Sequence, residues 1–99
     1  MVKIVWTEIA TNDLKEIFDY IAQDSIRYAS ITTFKIYHHA QEIRINPFIG
    51  RIVPEFNEIK IRELIEGNYR IIYAIKNELQ VDVLRIYHSA RSLKRKSIQ

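Results

Sequence analysis

The side chains best suited to chemistry crowd the last forty residues: Lys60, Arg62, Arg70 and Arg91, with His88 as the one histidine among them. Cations with a histidine are what metal-free cleavage of RNA requires. A base takes the 2′-hydroxyl proton, an acid protonates the leaving 5′-oxygen, and cations stabilise the charge on phosphorus. Histidine ordinarily titrates near neutral pH, which makes His88 the candidate acid or base. Arg70 and Arg62 can clamp a phosphate through their planar forks. The plainer alternative for His88 is a local hydrogen bond at a strand end. For Arg70 that alternative is weaker, because an arginine inside the apolar run Tyr69–Tyr73 asks for a partner.

Other polar groups suggest less. His38 and His39 are adjacent on a helix and so face different ways, a poor metal pair. Asp13, Glu16 and Asp19 share the polar side of the first helix and read as a solvated face. There is no Gly-rich phosphate loop, no zinc spacing and no nucleophile elbow, so no cofactor or metal is expected. Residues 1–59 sum to −2 and residues 60–99 to +5, and the terminal cations Arg91, Lys94, Arg95 and Lys96 dominate the second half. A basic second half favours a polyanionic or acidic partner.

These groups need a scaffold. Ninety-nine residues, 47% apolar and 27% charged, make one small domain rather than a disordered chain. No apolar run reaches the roughly 20 residues of a membrane span, no signal-peptide pattern opens the chain, and cysteine is absent. A reduced, cytosolic setting is expected. Val2–Trp6 reads as a strand. Thr7 then caps a helix to about Gln23, with Ala10, Leu14, Ile17, Phe18 and Ile21 on one face. Ser25 caps a second helix that carries Ala29, Thr33, Ile36, Tyr37, Ala40 and Ile43 and ends before Pro47. Residues 46–57 form an irregular connection. Strands follow at 59–65, 69–75 and 79–87, and Ser89–Lys96 form a short basic tail or helix. The expected fold is α+β in the order β-α-α-β-β-β, a helix hairpin on one face of a mostly antiparallel sheet. The place of the first strand in that sheet is left open.

Strand parity assigns faces. With three-residue turns at 66–68 and 76–78, one face holds Ile59, Ile61, Ile65, Tyr69, Ile71, Tyr73, Ile75, Leu79, Val81 and Val83, ready for the helices. The other holds Lys60, Arg62, Leu64, Arg70, Ile72, Asp82, Leu84, Ile86 and His88. Cations and histidine then share the uncovered face. Glu63 and Arg85 fall on the core side, where they need a position near the sheet margin or a pairing with each other.

Several short words in this order carry a resemblance: Asp19-Tyr20-Ile21-Ala22, Asn46-Pro47 with Gly50-Arg51, Ile61-Arg62-Glu63-Leu64, Gly67-Asn68-Tyr69-Arg70-Ile71-Ile72-Tyr73 and Leu84-Arg85-Ile86-Tyr87-His88-Ser89-Ala90-Arg91. Together they resemble the RelE/ParE superfamily, the toxic halves of bacterial type II toxin–antitoxin (plasmid stabilisation) pairs, over about Val2 to Leu93. The helix hairpin and the "YIA" and "HSAR" words are more ParE-like than RelE-like. The resemblance implies a growth-arresting toxin silenced by an antitoxin that wraps it. RelE-like members cut messenger RNA, usually on the ribosome; ParE-like members poison DNA gyrase. Arg70 matches the arginine that RelE-like nucleases place on the scissile phosphate, Lys60 and Arg62 fall near their basic strand positions, and Arg91 and His88 match residues at the end of their last strand. RelE-like members add a catalytic Tyr or His beyond that arginine, and residues 92–99 contain neither. The reading is therefore an inhibitor of DNA gyrase, with a ribosome-dependent messenger-RNA nuclease using His88, Arg70 and Arg62 as the alternative. On either reading Lys60, Arg62, Arg70, Arg91, Lys94 and Arg95 are the target-binding cations. An acidic, amphipathic antitoxin segment is expected to cover Leu64, Arg70, Ile72, Leu84 and Ile86 on the half-open face.

Overall fold

Thr7 joins the first two elements. It follows strand β1 (Lys3–Trp6) and caps helix α1 (Glu8–Ala22), its hydroxyl oxygen accepting the Ala10 N–H at 3.1 Å while donating to the Leu84 carbonyl at 3.2 Å. Ser25 repeats the device for α2 (Ile26–Ala40), accepting the Tyr28 N–H at 3.0 Å. A 3-10 turn at Gln41–Arg44 closes the hairpin ahead of Asn46-Pro47. The computed structural model describes residues 1–89; the expected basic tail, with Arg91, Lys94 and Arg95, lies outside the described residues.

Four further strands complete one sheet: β2 (Arg51–Ile52), β3 (Ile61–Glu66), β4 (Tyr69–Ile75) and β5 (Gln80–His88), in spatial order β1-β5-β4-β3-β2. β1 lies at one edge and runs parallel to β5, from Lys3 opposite Gln80 to Trp6 opposite Val83; the remaining pairs are antiparallel. The α+β order matches expectation, and the short β2 is an addition inside the connection read as irregular.

Register departs from expectation three times, twice by one residue and once by two: at the β4–β5 turn Ile75 opposes Val81 and not Leu79, which keeps parity and leaves Leu79 in the turn. The β3–β4 turn is two residues, Gly67-Asn68, with Glu66 opposite Tyr69 and Gly67 at φ +57°. A one-residue shift turns every β3 side chain to the other face. Leu64 joins Ile71 under the helices, whereas Ile61 and Glu63 lie behind the sheet. The other one-residue departure is a bulge in β5: Ile72 opposes Arg85, Tyr73 opposes Val83, and Leu84 is the extra residue. Parity reverses there. Val81 and Val83 face the helices, and so does Ile86 beyond the bulge.

The main core therefore lies between hairpin and sheet. Ala10, Ile36, Ala40 and Ile43 meet Leu64, Ile71, Tyr73, Ile75, Val81, Val83 and Ile86, with Leu14 and Ile17 at its border. Ile59 and Leu79, expected in the core, are exposed, as is Ile65 to a lesser degree. The reverse face is covered as well. Val53 and Phe56, from a tight turn in which the Phe56 and Asn57 N–H groups donate to the Val53 carbonyl, pack on Ile72, Ile61, Leu84 and Tyr87. Tyr73 pins the loop before β2: its hydroxyl donates to the Pro47 carbonyl at 2.7 Å and accepts the Gly50 N–H at 2.9 Å. A β-carbon on Gly50 would sit 2.5 Å from the Glu63 carbonyl, so only glycine fits there.

Candidate functional site

The strand arginine Arg70 is tied down. Arg70 is 5% exposed and its fork meets Glu55 at both ends, Nη1 to Oε2 at 2.8 Å and Nη2 to Oε1 at 2.7 Å. Its Nε donates to Glu63 Oε1 at 2.6 Å, and the second oxygen of Glu63 takes the Arg51 Nε at 2.5 Å. Glu63 is itself 1% exposed. Two arginines and two glutamates thus form an unbroken chain behind the sheet, linking β2, β3, β4 and the 53–58 turn. The Glu55 hydrogen bonds, helped by Glu63, hold Arg70 charged well above its usual range even though burial opposes charge. An anion approaching Arg70 would have to displace a bidentate carboxylate.

Arg62 is turned the other way. It opposes Tyr73 on the helix-side face, donates to the carbonyls of Ile59 at 2.9 Å and Gly50 at 2.9 Å, and lies 4.8 Å over the Phe48 ring. It holds the loop before β2 in place. His88 opposes Tyr69 on β4, with the two rings edge to face at 6.0 Å. Arg62 and His88 are separated by two strands across and four residues along, on the order of 16 Å. Lys60 is exposed and lies just ahead of β3. The expected cluster of Arg62, Arg70 and His88 on one open face does not form: the turn length sends Arg62 to the helix side, the bulge sends His88 there, and Arg70 alone stays behind.

The surface expected to receive an antitoxin also takes another form. Leu64 and Ile86 are core residues beneath the hairpin, Ile72 is buried under Val53, Arg70 is enclosed by carboxylates, and Leu84 is half-buried in the same rear cluster. These five side chains do not make an exposed patch. The reason is the 53–58 turn, which covers a face that the strand pattern alone leaves bare.

Asp13, read from the sequence as solvated, has a specific task. β1 covers only the first half of β5, and Asp13 of α1 occupies the edge beyond it. Its Oδ2 accepts the Ile86 N–H at 3.0 Å and the Arg85 Nε at 2.8 Å, with Arg85 Nη2 on Oδ1 at 3.0 Å. Arg85, raised by that hydrogen bond against the effect of burial, thereby docks α1 on the sheet. The ion network and Asp13 are what the sequence reading missed. The signal was present: Glu63 and Arg85 both broke the apolar parity, and an ionisable group in an apolar run needs a partner. His38 and His39 diverge, His38 stacking on Phe34 and His39 Nδ1 lying 3.1 Å from Glu66 Oε1. Among the described residues no group of three or more metal-ligating side chains forms, and no helix is long and apolar enough to cross a membrane.

A chain of the chromosomal ParDE toxin–antitoxin system from P. aeruginosa superposes with a TM-score of 0.74 at 22% identity, covering 89% of this chain and 96% of that one. At that identity the likeness speaks for the fold alone. The sequence profile described as the ParE toxin of the type II toxin–antitoxin system parDE matches residues 4–93. No curated protein matches the sequence. The chain belongs to the ParE toxin family.

Proposed function

We propose that this chain is a growth-arresting type II toxin that acts in the cytosol, is held silent by a cognate antitoxin, and inhibits DNA gyrase without cleaving RNA. The observation that supports a non-cleaving mode is the state of Arg70. Its fork is occupied by Glu55 and Glu63, and neither Arg62 nor His88 shares its face. Phosphoryl transfer needs cation, base and acid within hydrogen-bond reach of one phosphate. Here they point to two faces of a sheet. The absence of Tyr and His from residues 92–99 supports the same reading. The antitoxin partner rests on family membership and on the paired system to which the superposed chain belongs.

The test is induced expression in a growing bacterium without antitoxin, following DNA and protein synthesis separately. On the proposed reading, replication stops first, DNA breaks accumulate, and His88→Ala still arrests growth. Early arrest of translation with new 5′ ends inside messages would establish the messenger-RNA nuclease instead.

A further inference from the structure

Two grooves adjoin where the tip of the helix hairpin meets the β3–β4 turn, and Asn68 and Tyr69 border both. The larger, about 710 Å3, has Glu16, Ile17 and Tyr20 of α1 on one wall and Tyr69, Ile86 and His88 on the other. The smaller, about 260 Å3, runs beside Tyr28 and Ile31 of α2. Tyr20 is 73% exposed and Tyr28 61%. Tyr20 lines the larger groove with Tyr69 and Tyr28 lines the smaller one with Tyr69, which places the three tyrosines around the shared rim. None of them takes part in the ion network or the main helix–sheet core beyond the flank of Tyr69. Large amphipathic rings presented together are the residues that anchor protein interfaces.

Charge selects the kind of partner. Residues 8–24 carry Glu8, Asp13, Glu16, Asp19 and Asp24 against Lys15 alone. Arg85 neutralises Asp13, and Lys15 lies 3.9 Å from Asp19. The α1 wall stays net negative, with Glu16 exposed at the rim of the larger groove. Lys35 and Glu66 offset one another in the smaller groove, so the excess charge is that of the α1 wall, which favours a cationic segment over a phosphate backbone or an acidic antitoxin segment.

We propose that this double groove receives a basic, apolar segment of the protein that the toxin attacks, with Tyr20, Tyr28 and Tyr69 as anchors and Glu16 as the ion-pair partner. The inference rests on the reading that the target is a protein, DNA gyrase, and adds where the toxin holds it. Glu16→Lys and Tyr20→Ser change exposed side chains, so melting temperature is expected to hold.

Three readouts on the full chain test the assignment: growth arrest on induction, binding of purified gyrase, and copurification with the co-expressed cognate antitoxin. Each variant should lose about tenfold or more in gyrase affinity and in killing, as loss of an interface anchor does. Glu16→Asp should keep both, and all variants should keep the antitoxin. Variants that kill and bind gyrase as well as the parent overturn the assignment. Variants that lose the antitoxin instead assign the groove to that partner and overturn it equally. If the parent kills without binding gyrase while the variants do not kill, the gyrase reading falls and the groove remains the target site. If the parent does not arrest growth, both fall.

Discussion

Arg70 and Ile71 are neighbours in β4 and point to opposite worlds. Ile71 enters a core closed by two helices, where apolar area removed from water does the work. Arg70 enters a face closed by a short turn, where a few apolar contacts are joined to a chain of four charges. A helix can cover a sheet with apolar side chains at three- and four-residue spacing. A six-residue turn cannot, and the 53–58 segment is fixed instead by the fork of Arg70 on Glu55. The helix-side core tolerates small losses at many points, whereas the rear face concentrates its stability in partners that depend on one another.

The largest expected effect follows from that dependence. Arg70→Ala strands one oxygen of Glu63, a carboxylate with almost no access to water whose other oxygen keeps Arg51, and should cost about 3–5 kcal/mol. Ile71→Ala should cost about 2–5 kcal/mol through lost transfer energy and a cavity. Size alone does not separate the two faces; rescue does. Arg70→Met with Glu63→Leu removes the stranded charge together with its partner, so the pair should be less destabilised than the sum of its single changes in urea melts. A second apolar truncation beside Ile71 should add to the first. Strict additivity on the rear face would break the comparison.

The sequence made the helix-side face legible and the rear face opaque. Helix bounds came from caps and periodicity: Thr7, Ser25 and Pro47 place both helices to within a residue or two at their starts. The core face of β4 followed from alternation, which has a period of two. The faces of β3 and of the end of β5 did not follow, because each hangs on one residue: whether Glu66 belongs to a turn or a strand, and whether Leu84 is paired or extra. Sequence alternation carries no mark of a bulge. The rear network was less legible still, since Glu55 sits in an irregular segment and meets Arg70 only through tertiary folding. Family words survived all of this, because they depend on the order of elements and not on which face a side chain takes.

Tyr73 carries a hydroxyl into the otherwise apolar buried cluster beneath the helices, and it offers the next sharpening. Tyr73→Phe leaves the Gly50 N–H and the Pro47 carbonyl without their partner and should cost about 1–3 kcal/mol, less than Arg70→Ala. It should also change the response to alkali. Burial pushes the Tyr73 phenol above its ordinary value of 10.0, against the Gly50 hydrogen bond and the field of Arg62. The folded chain then keeps a proton that the unfolded chain releases. This contribution is whole below the unfolded value and is lost as pH rises through the folded one. Melting temperature should fall as pH rises past about 10, and fall less in Tyr73→Phe. Arg70 stays charged throughout that range, so the rear network should show no such loss.

The smallest effects test the register on which the two faces rest. Three-residue turns would bury Ile59 and Leu79 beneath the helices, whereas the observed pairing leaves them 64% and 75% exposed. Ile59→Ser and Leu79→Ser should then each change stability by no more than about 0.5 kcal/mol, as surface changes do. Leu64 is the control, because the turn that exposes Ile59 is the one that buries it: Leu64→Ser places an unpaired hydroxyl beneath α2 and should be far more damaging. If Leu79→Ser proved as costly as Leu64→Ser, Ile75 would have to pair with Leu79 and not Val81. If Ile59→Ser did, the β3–β4 turn would have to be one residue longer. Arg62 and Arg70 would then return to one face, and the case against a nuclease would lose its geometric basis.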